Sequence, residues 1–571
     1  MQNRLPYRRR VQQRSVMHRL IALCAGVVLA VAASLALAQP KGVPDTVLVN
    51  GRIATVDDQF RMVQALAVTG GRITASGSSS DIRKLAGPST RVIDLAGRTV
   101  IPGLIDNHSH WIRAAEHDEL RFDGVTTRQQ ALKLLAERVR TSPPGEWIVV
   151  LGGWSEEQFV DDPRGFPLAE LDAIAPNNPV VLQAIYIHAY LNTAALRAGK
   201  IDESTPNPAN GTIEKDANGR LTGVVRGAGG VAFVAGKAPL KDRDAWLANT
   251  RKLVRELNSM GITGWMDAGG RGMTPRHYEP YAELARRNEL DVRVFWTTIR
   301  QPATPEQVDK VVAEIPTLRP FQGTDYYDNV GYGESVYGPI TTQLLRMGGN
   351  TRPADIAQMM RIATALAEQG IYLNSHVEME ESIDVFLAEY EKLNSKIPIK
   401  NLRWSFSHLD QVTVPQLERM KRLGMNAQIH SRPLIQGALM YKAHGDLAWE
   451  MPPFRRVQDS GIAWGLGSDA TAVTTSNPFY TLGFAVTGKM VGGRHVNRQS
   501  ITREEALIAH TRSNAYIVFQ ESNLGSLAPG KYADLLVLDR DYFKVPADDI
   551  KDLRPVMTMV GGKVVYEAAK K

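Results

Sequence analysis

Cysteine is almost absent from this chain, since its 571 residues include one, Cys24. Cys24 lies in the first forty residues, where the sequence has the parts of a removable export signal. A mature chain without cysteine has no disulfide bond and no thiolate metal site. Any metal centre in it must therefore be built from histidine and carboxylate side chains.

Acidic residues are missing from residues 1–38, which carry six arginines. An apolar run from Leu20 to Ala38 follows the basic segment and ends in Ala-Leu-Ala. A basic leader, an apolar stretch and an Ala-x-Ala end are typical of a secretory signal peptide, which predicts a periplasmic or secreted protein. An uncleaved membrane anchor is the alternative, because about 18 apolar residues can just span a bilayer. After cleavage we expect no membrane insertion.

A strong excess of either charge is also missing from the mature chain. The formal charge of +7 falls to +1 when the six arginines of residues 1–38 are removed. Such a balance provides no electrostatic basis for binding nucleic acid or an anionic membrane. A small-molecule substrate is therefore the expected partner.

The length and the apolar content of 43% suffice for a large barrel with accessory domains.

Two patterns divide the mature chain. Residues 39–100 and 516–571 alternate apolar and polar positions between glycine turns, which predicts an antiparallel β-sandwich built from both termini. Residues 101–515 alternate apolar runs with helical segments, as in βα units. Eight runs satisfy the requirement of a TIM-like (β/α)8 barrel. The segment from about 112 to 260 is too long for a connecting helix, so we expect an inserted subdomain after the first strand. The predicted strands end at His110, Asp267, Thr297, Glu334, His376, His408, Gln428 and Asp469.

Histidines and an aspartate at these strand ends are the candidates for chemistry. His108 and His110 are two residues apart, so on a strand both point to the same side and can bind one ion. His376, His408 and Asp469 each end a further apolar run, and barrel enzymes place reacting groups there. A lone histidine of this kind is more often a packed core residue. Together, the imidazoles and carboxylates form the ligand set that Zn²⁺, Mn²⁺, Fe²⁺ or Ni²⁺ accepts.

Three sequence segments carry a family resemblance: VIPGLIDNHSH at 100–110, Gly-Ser-Asp at 467–469 and GSLAPGKYAD at 525–534. With them the mature chain resembles the amidohydrolase superfamily, and within it the family 3 group of YtcJ-like proteins and N-substituted formamide deformylases. The resemblance implies a barrel flanked by a β-sandwich and an enzyme that hydrolyses carbon–nitrogen bonds other than peptide bonds. It also implies a homodimer as a family-level expectation. Metal and catalytic roles are implied for His108, His110, His376, His408 and Asp469.

One feature departs from many two-metal relatives, which bridge their ions with a carbamylated lysine on the fourth strand. No lysine lies between Lys310 and Lys392. Some relatives use a glutamate instead, and Glu334 occupies the corresponding place. A carboxylate has two oxygens and can bridge two cations. The alternative is that Glu334 contacts substrate beside a single metal ion. The sequence is therefore compatible with one or two metal ions per chain, and zinc is the first choice.

The proposed chemistry is hydrolysis of an amide, formamide or carbamate by metal-activated water. Asp469 is expected to take the proton of water and to pass it to the leaving nitrogen. His188, His430 and Trp154 are predicted substrate contacts, with His188 also a candidate to polarise the carbonyl. Packing is the alternative for each of these three. A deaminase, a cyclic-amide hydrolase and a non-catalytic binding protein with the same fold are the competing functions.

Other features are predicted to be structural. The glycine-rich stretch 227–230 lacks the lysine and hydroxyl residue of a phosphate loop. Ser468 has no Gly-x-Ser-x-Gly context, which disfavours a serine hydrolase. Five further histidines have no strand-end context and are interpreted as surface or structural residues: His117, His277, His444, His495 and His510.

Overall fold

The computed structural model of the protein describes residues 42–270, 272–342, 345 and 349–569. The predicted signal peptide at 1–38 lies outside these residues. Within the described part of the chain, no helix combines the length and apolar character needed to cross a membrane.

Eight parallel strands, labelled β1 to β8 in chain order, form two four-stranded sheets with the orders β1-β2-β3-β4 and β5-β6-β7-β8. Each predicted strand end lies within two residues of an observed one. Apolar runs bounded by turn residues locate buried strands well, because such strands are covered on both faces. The strands are Leu104–Ser109 (β1), Ile262–Asp267 (β2), Arg293–Thr298 (β3), Tyr327–Tyr332 (β4), Asn374–Val377 (β5), Ser405–His408 (β6), Asn426–His430 (β7) and Trp464–Gly467 (β8).

Backbone hydrogen bonds connect the two sheets on both sides. The amide of Tyr332 donates to the carbonyl of Tyr372 at 2.9 Å, and Tyr332 pairs in parallel with Leu373. On the other side, the amide of Asp469 donates to the carbonyl of His108 at 2.8 Å. These contacts place β4 beside β5 and β8 beside β1.

Helices alternate with the strands, as the sequence pattern predicted. In helix Pro353–Glu368, Ile356, Met359 and Ala363 are buried at steps of three and four residues. This apolar stripe is part of the main hydrophobic core. The remaining helices of this part are Arg243–Ser259, Glu279–Arg286, Pro305–Glu314, Glu380–Asn394, Val414–Arg422, Pro433–His444, Phe454–Ser460, Pro478–Thr487, Arg503–Ala509 and Arg512–Ile517.

A five-stranded sheet lies in the chain between β1 and β2. It has its own hydrophobic cluster, which includes Phe122, Trp154 and Phe166. Helices Arg128–Thr141, Leu168–Ile174, Thr193–Ala198 and Gly227–Ala235 accompany it. In spatial order its strands are Thr212–Lys215, Leu221–Arg226, His188–Leu191, Val180–Ala184 and Ile148–Leu151.

Two further sheets are formed by strands before β1 and after the last helices. The prediction of antiparallel pairing was wrong for two strand pairs, because Thr46–Val49 pairs in parallel with Arg91–Asp94 and Arg52–Ala54 pairs in parallel with Thr99–Pro102. Alternating residues show that a strand has one buried face, but they carry no information about the direction of its neighbour. The six-stranded sheet has the order Lys563–Glu567, Pro555–Val560, Leu535–Leu538, Thr99–Pro102, Arg52–Ala54 and Met62–Val63, and the four-stranded sheet the order Arg72–Gly77, Ala65–Thr69, Thr46–Val49 and Arg91–Asp94.

Candidate metal centre

Six side chains that the sequence predicted as ligands meet at the carboxyl ends of the parallel strands. They come from five strands or from the residues directly after them, which explains how positions far apart in the chain converge. Five of the six residues are buried, and the sixth, His376, exposes 22% of its side chain. The six are His108, His110, Glu334, His376, His408 and Asp469.

Glu334 is in contact with four imidazoles. Its Oε2 lies 3.3 Å from Nε2 of His108, 3.1 Å from Nδ1 of His376 and 3.3 Å from Nε2 of His408. Its Oε1 lies 3.5 Å from Nε2 of His110. The two carboxylate oxygens therefore face different sets of histidines.

Asp469 lies close to three of the same histidines. Its Oδ1 is 3.4 Å from Nε2 of His110 and 3.8 Å from Nε2 of His108, and its Oδ2 is 3.7 Å from Nδ1 of His408. Both His408 and Asp469 have a left-handed backbone, with φ of 79° and 62°. Side chains other than glycine rarely adopt this conformation, and such strain is concentrated at functional sites.

His430 joins this cluster. Its Nδ1 lies 2.8 Å from Nδ1 of His408, and its ring centroid is 4.3 Å from that of His108. The sequence assigned His430 to substrate contact, a role that stays a prediction. Its position also places it next to the candidate ligand atoms, because its strand, β7, lies between β6 and β8.

The donor set fits a metal ion. Three groups of ligand atoms lie within 4.8 Å of one another: His108/His110/Glu334, Glu334/His376/His408 and His108/His408/His430. Both ring nitrogens of His108 and Nε2 of His430 are buried without a hydrogen-bond partner among the described residues. Buried polar atoms are normally paired, and a cation bound by these nitrogens would account for the exception.

The cluster histidines differ in their protonation. Burial lowers the pKa of His110 and His376, but the carboxylates beside them raise it above its usual value, to about 9 for His376. Burial lowers the pKa of His108 and His430, and burial together with His376 and Arg432 lowers that of His408 to about 3. These imidazoles are therefore neutral and keep a lone pair for coordination. Burial raises the pKa of Glu334, but the charge of His376 and the hydrogen bond from His110 bring it well below its usual range, so this carboxylate is ionised.

Three charged residues behind the histidines escaped the sequence analysis. Nη1 of Arg432 donates to Oε1 of Glu378 at 2.6 Å, and Arg432 also pairs with Asp410. Oε1 of Glu378 lies 3.1 Å from Nε2 of His376. A signal was present, because each residue follows a cluster histidine by two positions, the same spacing that relates His108 to His110. The pairs are His376/Glu378, His408/Asp410 and His430/Arg432.

Asp106 connects the two strands that carry His108 and Asp469. Its Oδ1 accepts a hydrogen bond from the amide of His108 at 3.0 Å, and both its oxygens accept from the amide of Ser468 at 3.1 Å. The residue is buried. It therefore fixes the distance between the ends of β1 and β8.

Two of the predicted substrate contacts, Trp154 and His188, have other contacts in the structure. Trp154 is fully buried and packs against Phe122 and Phe166, with ring centroids 5.5 Å away in both cases. This placement favours the packing alternative for Trp154. Nε2 of His188 lies 2.7 Å from Oε1 of Glu156, so the contact prediction for His188 gains no support from its position.

A cavity of about 1040 Å³ opens beside the cluster. His110, Glu334, His376 and Asp469 line it, so the cluster is accessible to a ligand. Further lining residues come from the region of the five-stranded sheet, among them Ile187. Residues of the segment between β1 and β2 thus complete a site whose reactive groups belong to the parallel strands.

Comparison with known proteins identifies the class. A family model described as amidohydrolase family matches residues 91–566, and the chain belongs to this family, which confirms the resemblance seen in the sequence. As a family member it is a hydrolase that acts on carbon–nitrogen bonds.

The chain is similar over nearly its whole length to proteins of known or assigned activity. It is 27% identical over 545 residues to the N-substituted formamide deformylase of Arthrobacter pascens, covering 92% of this chain and 98% of that protein. It is 25% identical over 534 residues to the putative amidohydrolase YtcJ of Bacillus subtilis (strain 168), covering 91% and 98%. An uncharacterized metal-dependent hydrolase from Pyrococcus furiosus shares the fold, with a TM-score of 0.61, 20% identity and coverage of 87% and 100%.

Proposed function

We propose that the protein hydrolyses an amide, formamide or carbamate bond of a small molecule with a divalent metal centre. The observation that carries this proposal is the contact of Glu334 with four histidines at 3.1 to 3.5 Å, beside Asp469 and a large cavity. The similarity to a formamide deformylase supports this choice of bond among those that the family cleaves.

The proposed architecture is a closed (β/α)8 barrel over residues 101–515, with an inserted subdomain at about 112–260. Residues 39–100 and 516–571 would form the flanking β-sandwich. Support comes from the parallel order of the eight strands and from the hydrogen bonds that join β4 to β5 and β8 to β1. In such a barrel the reactive groups gather at the carboxyl ends, and the six candidate ligands of this protein lie at the carboxyl ends of its parallel strands.

The cluster residues would hold one or two divalent ions, with zinc as the best candidate because the ligands are imidazoles and carboxylates. When bound, a divalent ion supplies a water of lowered pKa and a positive charge that polarises the substrate carbonyl. Two ions are supported by the geometry of Glu334, whose Oε1 faces His110 and whose Oε2 faces His108, His376 and His408. Glu334 would then bridge the two ions.

Asp469 is the proposed proton carrier. Its carboxylate lines the cavity, and although burial raises its pKa, the hydrogen bond from His110 lowers it below the ordinary value. An ionised carboxylate at this position can accept the proton of the attacking water and donate it to the leaving nitrogen. The left-handed backbone of Asp469 holds the side chain toward the histidines.

We also propose that residues 1–38 are a cleaved signal peptide and that the mature protein acts in the periplasm or outside the cell. A homodimer is the assembly that the family resemblance suggests. The arginines of this segment and its Ala-Leu-Ala end support cleavage. Sequencing the amino terminus of the protein recovered from a periplasmic extract tests the cleavage, and sedimentation velocity tests the dimer.

The proposed reaction is tested with metal analysis and the variant Asp469→Asn. We expect purified wild-type protein to contain divalent metal, and the variant to keep most of it while kcat falls by about 10²- to 10⁴-fold. Unchanged turnover in the variant would remove the assigned role of Asp469. Purified protein that contains no metal, and whose melting temperature does not change when a chelator is added, would instead support a non-catalytic binding protein.

The bridge is tested by counting metal ions per chain in Glu334→Ala. If Glu334 joins two ions, the count falls from two toward one or less, because both ions lose a ligand. Glu381→Ala is the matched control, since Glu381 is exposed on helix Glu380–Asn394. A wild-type count of one that the variant leaves unchanged would contradict the bridge.

A further inference from the structure

The cavity beside the cluster is walled on several sides by apolar side chains. Val231 and Ala232 come from helix Gly227–Ala235, and Val336 and Ile340 from the segment after β4. Helices Pro353–Glu368 and Pro433–His444 contribute Met359 and Met440. Together with the volume of about 1040 Å³, this wall leaves room for much more than an amide group.

The charged side chains of the cavity wall are engaged by protein partners. Oε2 of Glu116 lies 3.5 Å from Nε2 of His277, and Nε of Arg226 donates to Glu214 at 2.6 Å. Arg113 donates to the hydroxyl of Tyr186 at 2.6 Å.

Arg432, which also lines the cavity, forms ion pairs with Glu378 and Asp410. An anionic substrate group would have to compete with Glu214 for Arg226, or with Glu378 and Asp410 for Arg432. At these two positions the wall therefore disfavours an anionic ligand.

We propose that the substrate carries an uncharged apolar group, an alkyl chain or an aromatic ring, attached at the scissile carbon–nitrogen bond. This inference rests on the proposed function and specifies its substrate class. The apolar group would occupy the space between helix Gly227–Ala235 and the segment after β4, while the bond itself lies at the cluster. Burial of the group supplies binding free energy in proportion to its apolar area.

The test is a panel of N-alkyl formamides and N-alkyl acetamides with one to six carbons in the chain, assayed with the metal-loaded enzyme. We expect kcat/KM to rise by about fourfold for each added methylene until the wall is filled. Analogues of the same length that end in a carboxylate or an ammonium group should be hydrolysed at least tenfold more slowly. If charged or one-carbon compounds are hydrolysed as well as long apolar ones, this inference is wrong although the proposed function holds. Hydrolysis of no member of the panel would overturn both.

Ala232→Trp tests the location of the apolar group. Ala232 is exposed at the cavity surface, so the chain can accept a larger side chain there. The indole would fill part of the space, and the ratio of kcat/KM between six-carbon and one-carbon substrates should fall by at least tenfold. Phe233→Trp, on the same helix but outside the cavity wall, is the matched control and should keep the wild-type ratio. An unchanged ratio in Ala232→Trp would place the group elsewhere and contradict the assignment.

A second, independent observation concerns Asp267, which ends β2 and faces the cluster from outside. Its Oδ1 lies 3.9 Å from Nδ1 of His110 and accepts hydrogen bonds from the amide of Gly269 at 2.9 Å and the hydroxyl of Tyr278 at 3.0 Å. The carboxylate is fully buried. On the other side of the imidazole, Nε2 of His110 faces Glu334 and Asp469.

The backbone next to Asp267 also shapes this position. A Cβ atom at Gly270 would lie 2.8 Å from Nδ1 and Cε1 of the His110 ring. The glycine therefore lets the backbone pass directly over the imidazole. Asp267 on the edge of the ring and Gly270 on its face together define where His110 can lie.

We infer that Asp267 is a positioning residue for His110. A carboxylate beside Nδ1 favours the tautomer that carries hydrogen there, and it leaves the lone pair of Nε2 directed to the cluster. Tyr278 and the amide of Gly269 hold the carboxylate in place. Loss of such an outer partner typically weakens metal binding by about 10- to 100-fold.

Asp267→Asn tests this role by metal affinity rather than by turnover. We expect the dissociation constant of zinc, measured in competition with a chromophoric chelator, to rise by about 10- to 100-fold. The metal-free variant should melt within a few degrees of metal-free wild type, and Asp309→Asn, at an exposed ion pair, should bind zinc as wild type does. A wild-type dissociation constant would overturn the inference. So would a collapse of the metal-free protein, because Asp267 would then be a structural residue.

Discussion

Replacement of His510 should change how the stability of the protein depends on pH. His510 lies between helices Arg503–Ala509 and Arg512–Ile517, its side chain is fully buried, and its carbonyl accepts a hydrogen bond from the amide of Ile105 at 3.0 Å. Burial lowers the pKa of His510 from 6.5 to about 4. The unfolded chain therefore binds a proton on this side chain at a pH where the folded chain does not.

The sign follows from this difference. Below about pH 6.5 protonation favours the unfolded state, so the contribution of neutral His510 to stability is lost as the pH falls toward 4. A difference of 2.5 pKa units corresponds to about 3 kcal/mol in all, of which about 2 kcal/mol is lost between pH 8 and pH 5. The glutamine of His510→Gln does not titrate in this range, so the free energy of unfolding of this variant should not show this loss at low pH.

The assay is a set of urea titrations of wild type and His510→Gln between pH 8 and pH 5. The difference in unfolding free energy between the two proteins should shift by about 2 kcal/mol over this range in favour of the variant. Titration of the metal centre is common to both proteins and cancels. His495→Gln, at an exposed histidine, is the control. A difference that stays constant with pH would refute the reasoning, and so would a ring proton of His510 whose NMR shift titrates near pH 6.5 in the folded protein.

Three further predictions concern packing and the metal. Asn514→Leu removes three buried hydrogen bonds. The side chain of Asn514 donates two of them to the carbonyls of Ile105 and Leu466 and accepts one from Nδ2 of Asn107. The substitution should lower the unfolding free energy by about 3 kcal/mol in urea titrations. Trp154→Ala should lower it by about 3 to 5 kcal/mol, whereas a raised KM with unchanged stability would support the predicted substrate contact instead. Removal of metal with a chelator should lower the calorimetric Tm, because zinc at a thousandfold excess over its Kd stabilises the folded state by about 4 kcal/mol. A Tm that does not respond to chelator would contradict the metal centre.

Strand positions were predictable because they depend on local patterns. The runs before His108, His376 and His408 are rich in apolar residues, as is typical of strands covered on both faces. Parallel strands direct their carboxyl ends to one side, so the prediction that these histidines meet follows from the repetition of βα units. The pairing of the outer strands, in contrast, is non-local, and the parallel contact of Thr46–Val49 with Arg91–Asp94 has no local signal.

The candidate site was predicted in its main residues but not in its surroundings. Glu378 and Arg432 are ordinary charged residues in the sequence, and their contact with each other beside His376 depends on how neighbouring strands align. Trp154 shows the converse, since a tryptophan next to two glycines is compatible with a cavity wall or a core. Composition does not distinguish the two, because an indole gains free energy from either environment.

The amino-acid sequence alone determined the class of ligand atoms, the order of the βα units and the membership of one family, because these depend on residue type and on short spacings. The tertiary structure decided which side chains face each other across strands: the contact of Glu334 with four histidines, the place of His430 beside His408 and that of Asp267 behind His110. Such contacts depend on the register and twist of strands that are distant in the chain, and no local pattern encodes these.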